Sequence, residues 1–167
     1  MGNTQGNLQT AFAGESQANR RYLLFAERAE QEGYRQAAKL FRAAADAETV
    51  HARNHLKVMQ GVKSTRENLV AARGGEDYEF TEMYPGFIKQ AEAEGNSKAK
   101  DSFDMANKVE QIHHGLFDAA LGNIEKGEPI ADKTIYVCQY CGNTVEGTAP
   151  EKCPICGASR KMFKLIE

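Results

Sequence analysis

Apolar side chains recur at three- and four-residue steps through roughly the first 125 positions, the period of amphipathic helices. Glycines punctuate the pattern. The spacing predicts a first helix from about Thr4 to Gln31, stopped by Gly33, and a second from about Tyr34 to Gln60, stopped by Gly61. Ser64-x-x-Glu67 has the form of a capping box and opens a third helix that runs to about Gly95. Pro85 falls inside this segment and is expected to kink it. The fourth helix covers about Ser97 to Lys126 and ends at Gly127, with Pro129 beyond. Past that point the pattern changes to short β-prone pieces, Thr134 to Val137 and Met162 to Ile166, set around cysteine pairs. The expected architecture is mainly α: a four-helix domain over residues 1–130 and a small β-rich domain over 131–167.

The helical part repeats itself. A shift of 62 residues aligns Tyr22 with Tyr84, Phe25 with Phe87, Phe41 with Phe103, Glu48 with Glu110 and His51 with His113. Rare residues coinciding at one offset point to a duplicated helix hairpin. Two such hairpins packed face to face make a four-helix bundle with approximate two-fold symmetry.

The repeat carries candidate chemistry. Glu48-x-x-His51 and Glu110-x-x-His113 each put a carboxylate and an imidazole about one turn apart on one helix face. One such pair is usually solvent-facing. Here Ala37, Phe41, Ala44 and His55 lie within about 40° of Glu48, and Phe103 and Phe117 flank Glu110 in the same way. Glu15 shares its face with Leu8, Ala11, Tyr22 and Ala26, and Glu76 shares its face with Leu69, Met83 and Phe87. Several carboxylates in apolar stripes must be neutralised, because an unpaired buried ion costs at least several kcal/mol. Two metal cations would supply the neutralisation, and a Glu from each of two helices plus a Glu-x-x-His from each of the others is the di-iron carboxylate pattern. In the third helix Glu79 lies about 60° from Glu76 and can face inward, whereas Glu82, about 120° away, belongs at the rim. The repeat pairs Glu15 with Asp77 rather than Glu76, so a one-residue slip before Tyr84 is required, from a π-bulge or the Pro85 kink. His55 and His114 also lean inward but have no partner in the repeat, and they read as packing histidines.

All four cysteines stand in two C-x-x-C-G turns, Cys138/Cys141 and Cys153/Cys156, separated by 11 residues. Paired chelating thiolates suit a tetrahedral metal, zinc or iron, and from the cysteines alone zinc is the commoner occupant. Net charge is −2, which points to neither nucleic acid nor an anionic membrane as partner. No basic-then-apolar leader opens the chain and no apolar run approaches the ~20 residues of a membrane span, so the expected location is cytoplasmic. Met1-Gly2 is a weak myristoylation signal, since position 6 is Gly.

Taken together, Thr10-Ala-Phe-Ala-Gly-Glu-Ser-Gln-Ala18, Glu48-x-x-His51, Glu76-x-x-Glu79-x-x-Glu82-Met-Tyr-Pro85 and Glu110-x-x-His113 resemble the rubrerythrin family over nearly the whole chain. The second knuckle, Cys153-Pro-Ile-Cys156-Gly157, and the aromatic before the first pair resemble rubredoxin. The resemblance implies a ferritin-like bundle with a rubredoxin-like domain. It implies two non-haem irons on Glu15, Glu48, Glu76, Glu79, Glu110 and His113, and one iron on Cys138, Cys141, Cys153 and Cys156. It implies that His51 and Glu79 exchange as ligands with redox state. Tyr22 and Tyr84 would hydrogen-bond the carboxylates, or serve as ordinary core tyrosines. The implied activity is reduction of hydrogen peroxide to water in oxidative-stress defence. Electrons would pass through the four-cysteine iron from a rubredoxin or an NAD(P)H-dependent flavoprotein reductase. A ferroxidase with the same ligands, or a zinc-ribbon scaffold that binds a partner protein, are the competing expectations.

The link between the second and third helices, about Gly61 to Lys63, reaches only ~10–14 Å. A 25-residue helix is ~37 Å long. The third helix therefore cannot return to the far end of its own hairpin, and a homodimer that exchanges hairpins is expected, each site combining residues of both chains.

Overall fold

The computed structural model describes residues 3–167; Met1 and Gly2, where the myristoylation signal falls, lie outside the described residues. By packing, the chain divides between Lys63 and Ser64 into two compact units.

The first unit is a helix hairpin of α1, Thr4–Gln31, and α2, Arg35–Val58. The Asn3 side chain caps α1 by accepting from Gly6 N–H. The chain reverses at Gly33, where φ is 84° and Tyr34 N–H bonds Ala29 O at 2.8 Å. Small residues at the seam, Ala26, Ala29, Ala38 and Ala45, are buried and let the two helices approach closely. Asn19 Nδ2 crosses from α1 to donate to Ala45 O and Thr49 Oγ1, at 2.7 and 2.9 Å. A two-helix hairpin has little interior, and Leu24, Phe25 and Leu40 remain 46–68 % exposed. The end of α2 departs from the sequence reading: the left-handed residue is Gln60, at φ 54°, rather than Gly61. Gly61 follows one step later. It donates to Leu56 O at 2.9 Å, and a Cβ there would fall 2.4 Å from Leu56 Cδ1.

The second unit begins with the expected capping box: Ser64 Oγ accepts from Glu67 N–H while the Glu67 carboxylate accepts from Ser64 N–H. The third helix is not one α-helix. It is α3, Thr65–Tyr78, a π-helical turn over Glu79–Met83, and α4, Tyr84–Ala93. Tyr84 N–H reaches back five residues to Glu79 O, which inserts the extra residue the repeat demands. Pro85 sits in the first turn of α4, where its missing N–H costs little. Helix α5, Ser97–Lys126, packs along α3 and α4 and ends at left-handed Gly127. Tyr22, Phe25 and Phe41 in the first unit have ring centroids 6.2, 6.3 and 5.5 Å apart. Their repeat mates Tyr84, Phe87 and Phe103 show the same three separations, so the duplication is structural as well as sequential.

The cysteine-bearing segment belongs to this second unit. A central strand β1, Ile135–Cys138, pairs antiparallel with β2, Thr144–Glu146, on one side and with β3, Phe163–Ile166, on the other. Strand β2, three residues long, has no strand signal of its own in the sequence. Its buried interior is Cys138, Asn143, Ala149 and Cys153, a core too small to fold on apolar burial alone. The described helices include none long and apolar enough to cross a membrane.

Candidate metal centres

Each helix pair gathers two carboxylates and one imidazole. In the first unit Glu15 of α1 meets Glu48 and His51 of α2. His51 Nδ1 lies 2.9 Å from Glu48 Oε2 and 4.0 Å from Glu15 Oε1. In the second unit Glu76 of α3 meets Glu110 and His113 of α5, with His113 Nδ1 2.8 Å from Glu110 Oε2 and 3.8 Å from Glu76 Oε2. The two clusters are near copies, as hairpin duplication requires. Glu79, on the π turn, is half-buried near the second cluster, while Glu82 is exposed. His114 packs edge-on against Phe80 at 5.4 Å and approaches Asp77 at 3.8 Å, outside the cluster. His55 is half-buried and belongs to no ligand group among the described residues.

The electrostatics of both clusters call for a cation. Glu15 is raised above the ordinary carboxyl value, chiefly because it hydrogen-bonds Glu48, and Glu48 is held below it by that bond and by His51. Glu76 is raised by burial and then by the neighbouring Glu110. Burial and the charge of Glu76 also raise Glu79. Tyr84 is pushed up by burial and by the charges of Glu110, Glu79 and Glu76, which places it within their field. Tyr22 packs in its aromatic trio. Among the described residues, no ion pair of Glu15, Glu48, Glu76 or Glu110 involves Lys or Arg. Glu76 Oε2 is buried with no hydrogen-bond partner. Clustered carboxylates without a protein cation, an orphaned carboxylate oxygen and imidazole nitrogens aimed at carboxylates are the donor set of an iron-type cation. The residues fit the metal.

The four cysteines converge from the two knuckles. Their sulfurs lie within 4.8 Å of one another, with Cys138–Cys156 at 3.8 Å and Cys141–Cys153 at 3.6 Å. These separations are too long for a disulfide. They match the ~3.8 Å edge of a tetrahedron whose metal–sulfur bonds are ~2.3 Å. Burial raises Cys141 and Cys156. Burial opposes ionisation of Cys153 too, but the N–H groups of Cys156 and Ile155 and the contact with Cys141 bring it down to about 7.

Two residues in this region carry no mark in the sequence reading. Buried Asn143 donates Nδ2–H to Cys153 Sγ at 3.6 Å, and Thr144 Oγ1 lies 2.9 Å from His113 Nε2. Their one sequence signal is position, directly after the glycine of the first knuckle. Thr144, His113 and Glu76 border a cavity of about 460 Å³ shared with the apolar side chains Leu69, Phe117 and Ile135. Such an apolar surround strengthens electrostatic interactions at the cluster.

Comparison with known proteins agrees with this geometry. The family model described as Rubrerythrin matches residues 6–121, and that described as Rubrerythrin, rubredoxin-like domain matches residues 136–164. Nigerythrin of Nitratidesulfovibrio vulgaris is 35% identical over 177 residues, covering 98% of this chain and 86% of the relative. Rubrerythrin of the same organism is 35% identical over 179 residues, covering 98% and 94%. A putative rubrerythrin of Methanocaldococcus jannaschii is 36% identical over 190 residues, covering 99% and 93%. The solved structure of nigerythrin in its fully reduced, all-ferrous state superposes with a TM-score of 0.59 at 34% identity, covering 99% of this chain and 88% of that one.

Proposed function

This chain belongs to the rubrerythrin family, whose members are di-iron proteins of oxidative stress, and from that premise we propose that it is a peroxidase that reduces hydrogen peroxide to water. The observation that carries the reading is the pairing, in one chain, of carboxylate–histidine clusters with a four-thiolate site. An iron store has no need of an attached electron carrier. Functionally the chain divides into a di-iron domain over residues 1–130 and an electron-entry domain over 131–167.

Irons held at these sites supply, when bound, the two electrons that cleave the O–O bond and a one-electron path by which they are replaced. The protein's share is charge, position and protons. Glu15, Glu48, Glu76 and Glu110 would balance the cations, and His113 would hold one of them. His51 is 54 % exposed, and Glu79 sits half-buried on the π turn; these are the side chains with freedom to exchange as ligands. Tyr84, and Tyr22 at its repeat position, shape the carboxylate surround. The two protons consumed per peroxide enter from solvent, and Glu79, with its raised value, is the carboxyl suited to deliver them.

Each cluster offers three ligand residues, half of a di-iron site. The α1–α2 hairpin also keeps large apolar side chains exposed. Both features support a homodimer in which the hairpin of one chain completes the site of the other. The electron donor is a rubredoxin or an NAD(P)H-dependent flavoprotein reductase, in the cytoplasm.

The visible spectrum tests the function. An oxidised tetrathiolate iron gives a red protein whose colour a reductant bleaches and peroxide restores, with peroxide consumed in proportion. An aerobic protein that is colourless and holds only zinc sinks the reading, and ferrous uptake without peroxide consumption favours iron handling instead. A strict monomer with full iron content ends the hairpin exchange.

A further inference from the structure

The two clusters are alike except at the far side of their imidazoles. His51 bonds through Nδ1, and among the described residues its Nε2 has no partner. His113 has a polar neighbour at both nitrogens, Glu110 at Nδ1 and Thr144 at Nε2. Thr144 comes from β2 of the four-cysteine domain, so a residue of one metal domain grips a ligand of the other.

Thr144 Oγ1 is also 3.1 Å from Gly142 O, a carbonyl that can only accept. With its single hydroxyl hydrogen given to Gly142 O, the Thr144 hydroxyl oxygen faces His113 Nε2 as an acceptor. Nε2 then carries a hydrogen, and in the neutral imidazole the Nδ1 lone pair faces Glu110 Oε2 and Glu76 Oε2. A lone pair 2.8 Å from a carboxylate oxygen is repelled unless a proton or a metal cation bridges the two groups.

We propose that Thr144 is a positioning residue for the carboxylate site: it fixes His113 in the tautomer that presents Nδ1 to a metal and ties that imidazole to the four-cysteine domain. The inference rests on the reading of the Glu76–Glu110–His113 cluster as a metal site. Thr144 is itself held by the knuckles. Gly142 N–H bonds Cys138 O at 2.8 Å, and adjacent Asn143 donates to Cys153 Sγ. A run of two hydrogen bonds and the short backbone between Asn143 and Thr144 thus joins a cysteine sulfur to a ligand imidazole.

The test compares Thr144→Val, which keeps the shape and removes the acceptor, with Thr144→Ser, which keeps the acceptor. Full-length protein carries zinc in the four-cysteine site and a stripped carboxylate site. Ring ¹⁵N resonances of His113 report the tautomer, and titration with cobalt(II) reports affinity. Wild type and Thr144→Ser should show one Nε2–H tautomer. Thr144→Val should show both tautomers and bind cobalt about tenfold more weakly, as loss of a ligand's hydrogen-bond partner generally does. A single tautomer with undiminished affinity in Thr144→Val overturns the proposal, as does a Thr144→Ser protein as impaired as Thr144→Val. Neither readout uses peroxide. A wild-type protein that fails to consume peroxide therefore sinks the peroxidase reading and leaves this one standing.

Discussion

Replacing Glu76 by Gln should make the metal-free protein more stable while it weakens metal binding. Glu76 Oε2 is buried without a hydrogen-bond partner, and its carboxyl value is raised by burial and by Glu110. Leaving such an acceptor unsatisfied costs about 1–3 kcal/mol. Glutamine has the same shape, carries no charge and can turn its amide toward Glu110. Recovery of even about 1 kcal/mol corresponds to about 4 °C in Tm for a unit the size of Ser64–Glu167. The pH dependence has a definite sign. A carboxyl raised in the folded state favours folding most below its unfolded value of 4.5, and that contribution disappears as pH rises through the folded value. Wild-type protein therefore loses Glu76's share between mildly acid and neutral pH, whereas the Gln variant has none to lose. Chelated protein melted in a calorimeter at pH 7 should show Glu76→Gln above wild type by at least about 4 °C, with the gap shrinking by pH 4. With cobalt(II) present the order should reverse, because the variant lacks a ligand. A metal-free variant that melts below wild type at pH 7, or a gap unchanged by pH, refutes the reasoning.

Other outcomes follow from single contacts. Asn143→Ala removes the donor to Cys153 Sγ, a bond that favours the more negative reduced thiolate site. The potential of the four-cysteine iron should fall by about 40 mV for each kcal/mol of bond lost, read by redox titration of the red colour. An unchanged potential would show that the bond does not distinguish the two redox states. Gln60→Gly relieves a left-handed residue at φ 54° and should stabilise the protein by about 1 kcal/mol in denaturant titration. Ser64→Ala breaks the capping box at the start of α3 and should cost about 1 kcal/mol, with greater hydrogen exchange confined to the first turn.

The helices, their caps and the donor residues are legible in the sequence because each depends on short-range periodicity. A carboxylate and an imidazole three residues apart on a helix must share a face, and C-x-x-C-G must form a chelating turn, whatever surrounds them. The offset between repeats even demanded an extra residue near Pro85, which the π turn over Glu79–Met83 supplies. Where a choice depends on distant atoms, local pattern is silent. The left-handed position falls on Gln60 rather than Gly61, and the Gly61 backbone lies against the Leu56 side chain, an arrangement no local pattern announces. Strand β2 is too short to show a period and exists because β1 pairs with it.

The sequence by itself determined the candidate ligand residues and which helix or knuckle presents each of them. Only the tertiary structure decided that His113 and His51, identical in their local motifs, are held differently. Thr144 lies 31 positions from His113, and nothing in a helical or strand period connects the two. The contact exists because the four-cysteine domain packs against α5.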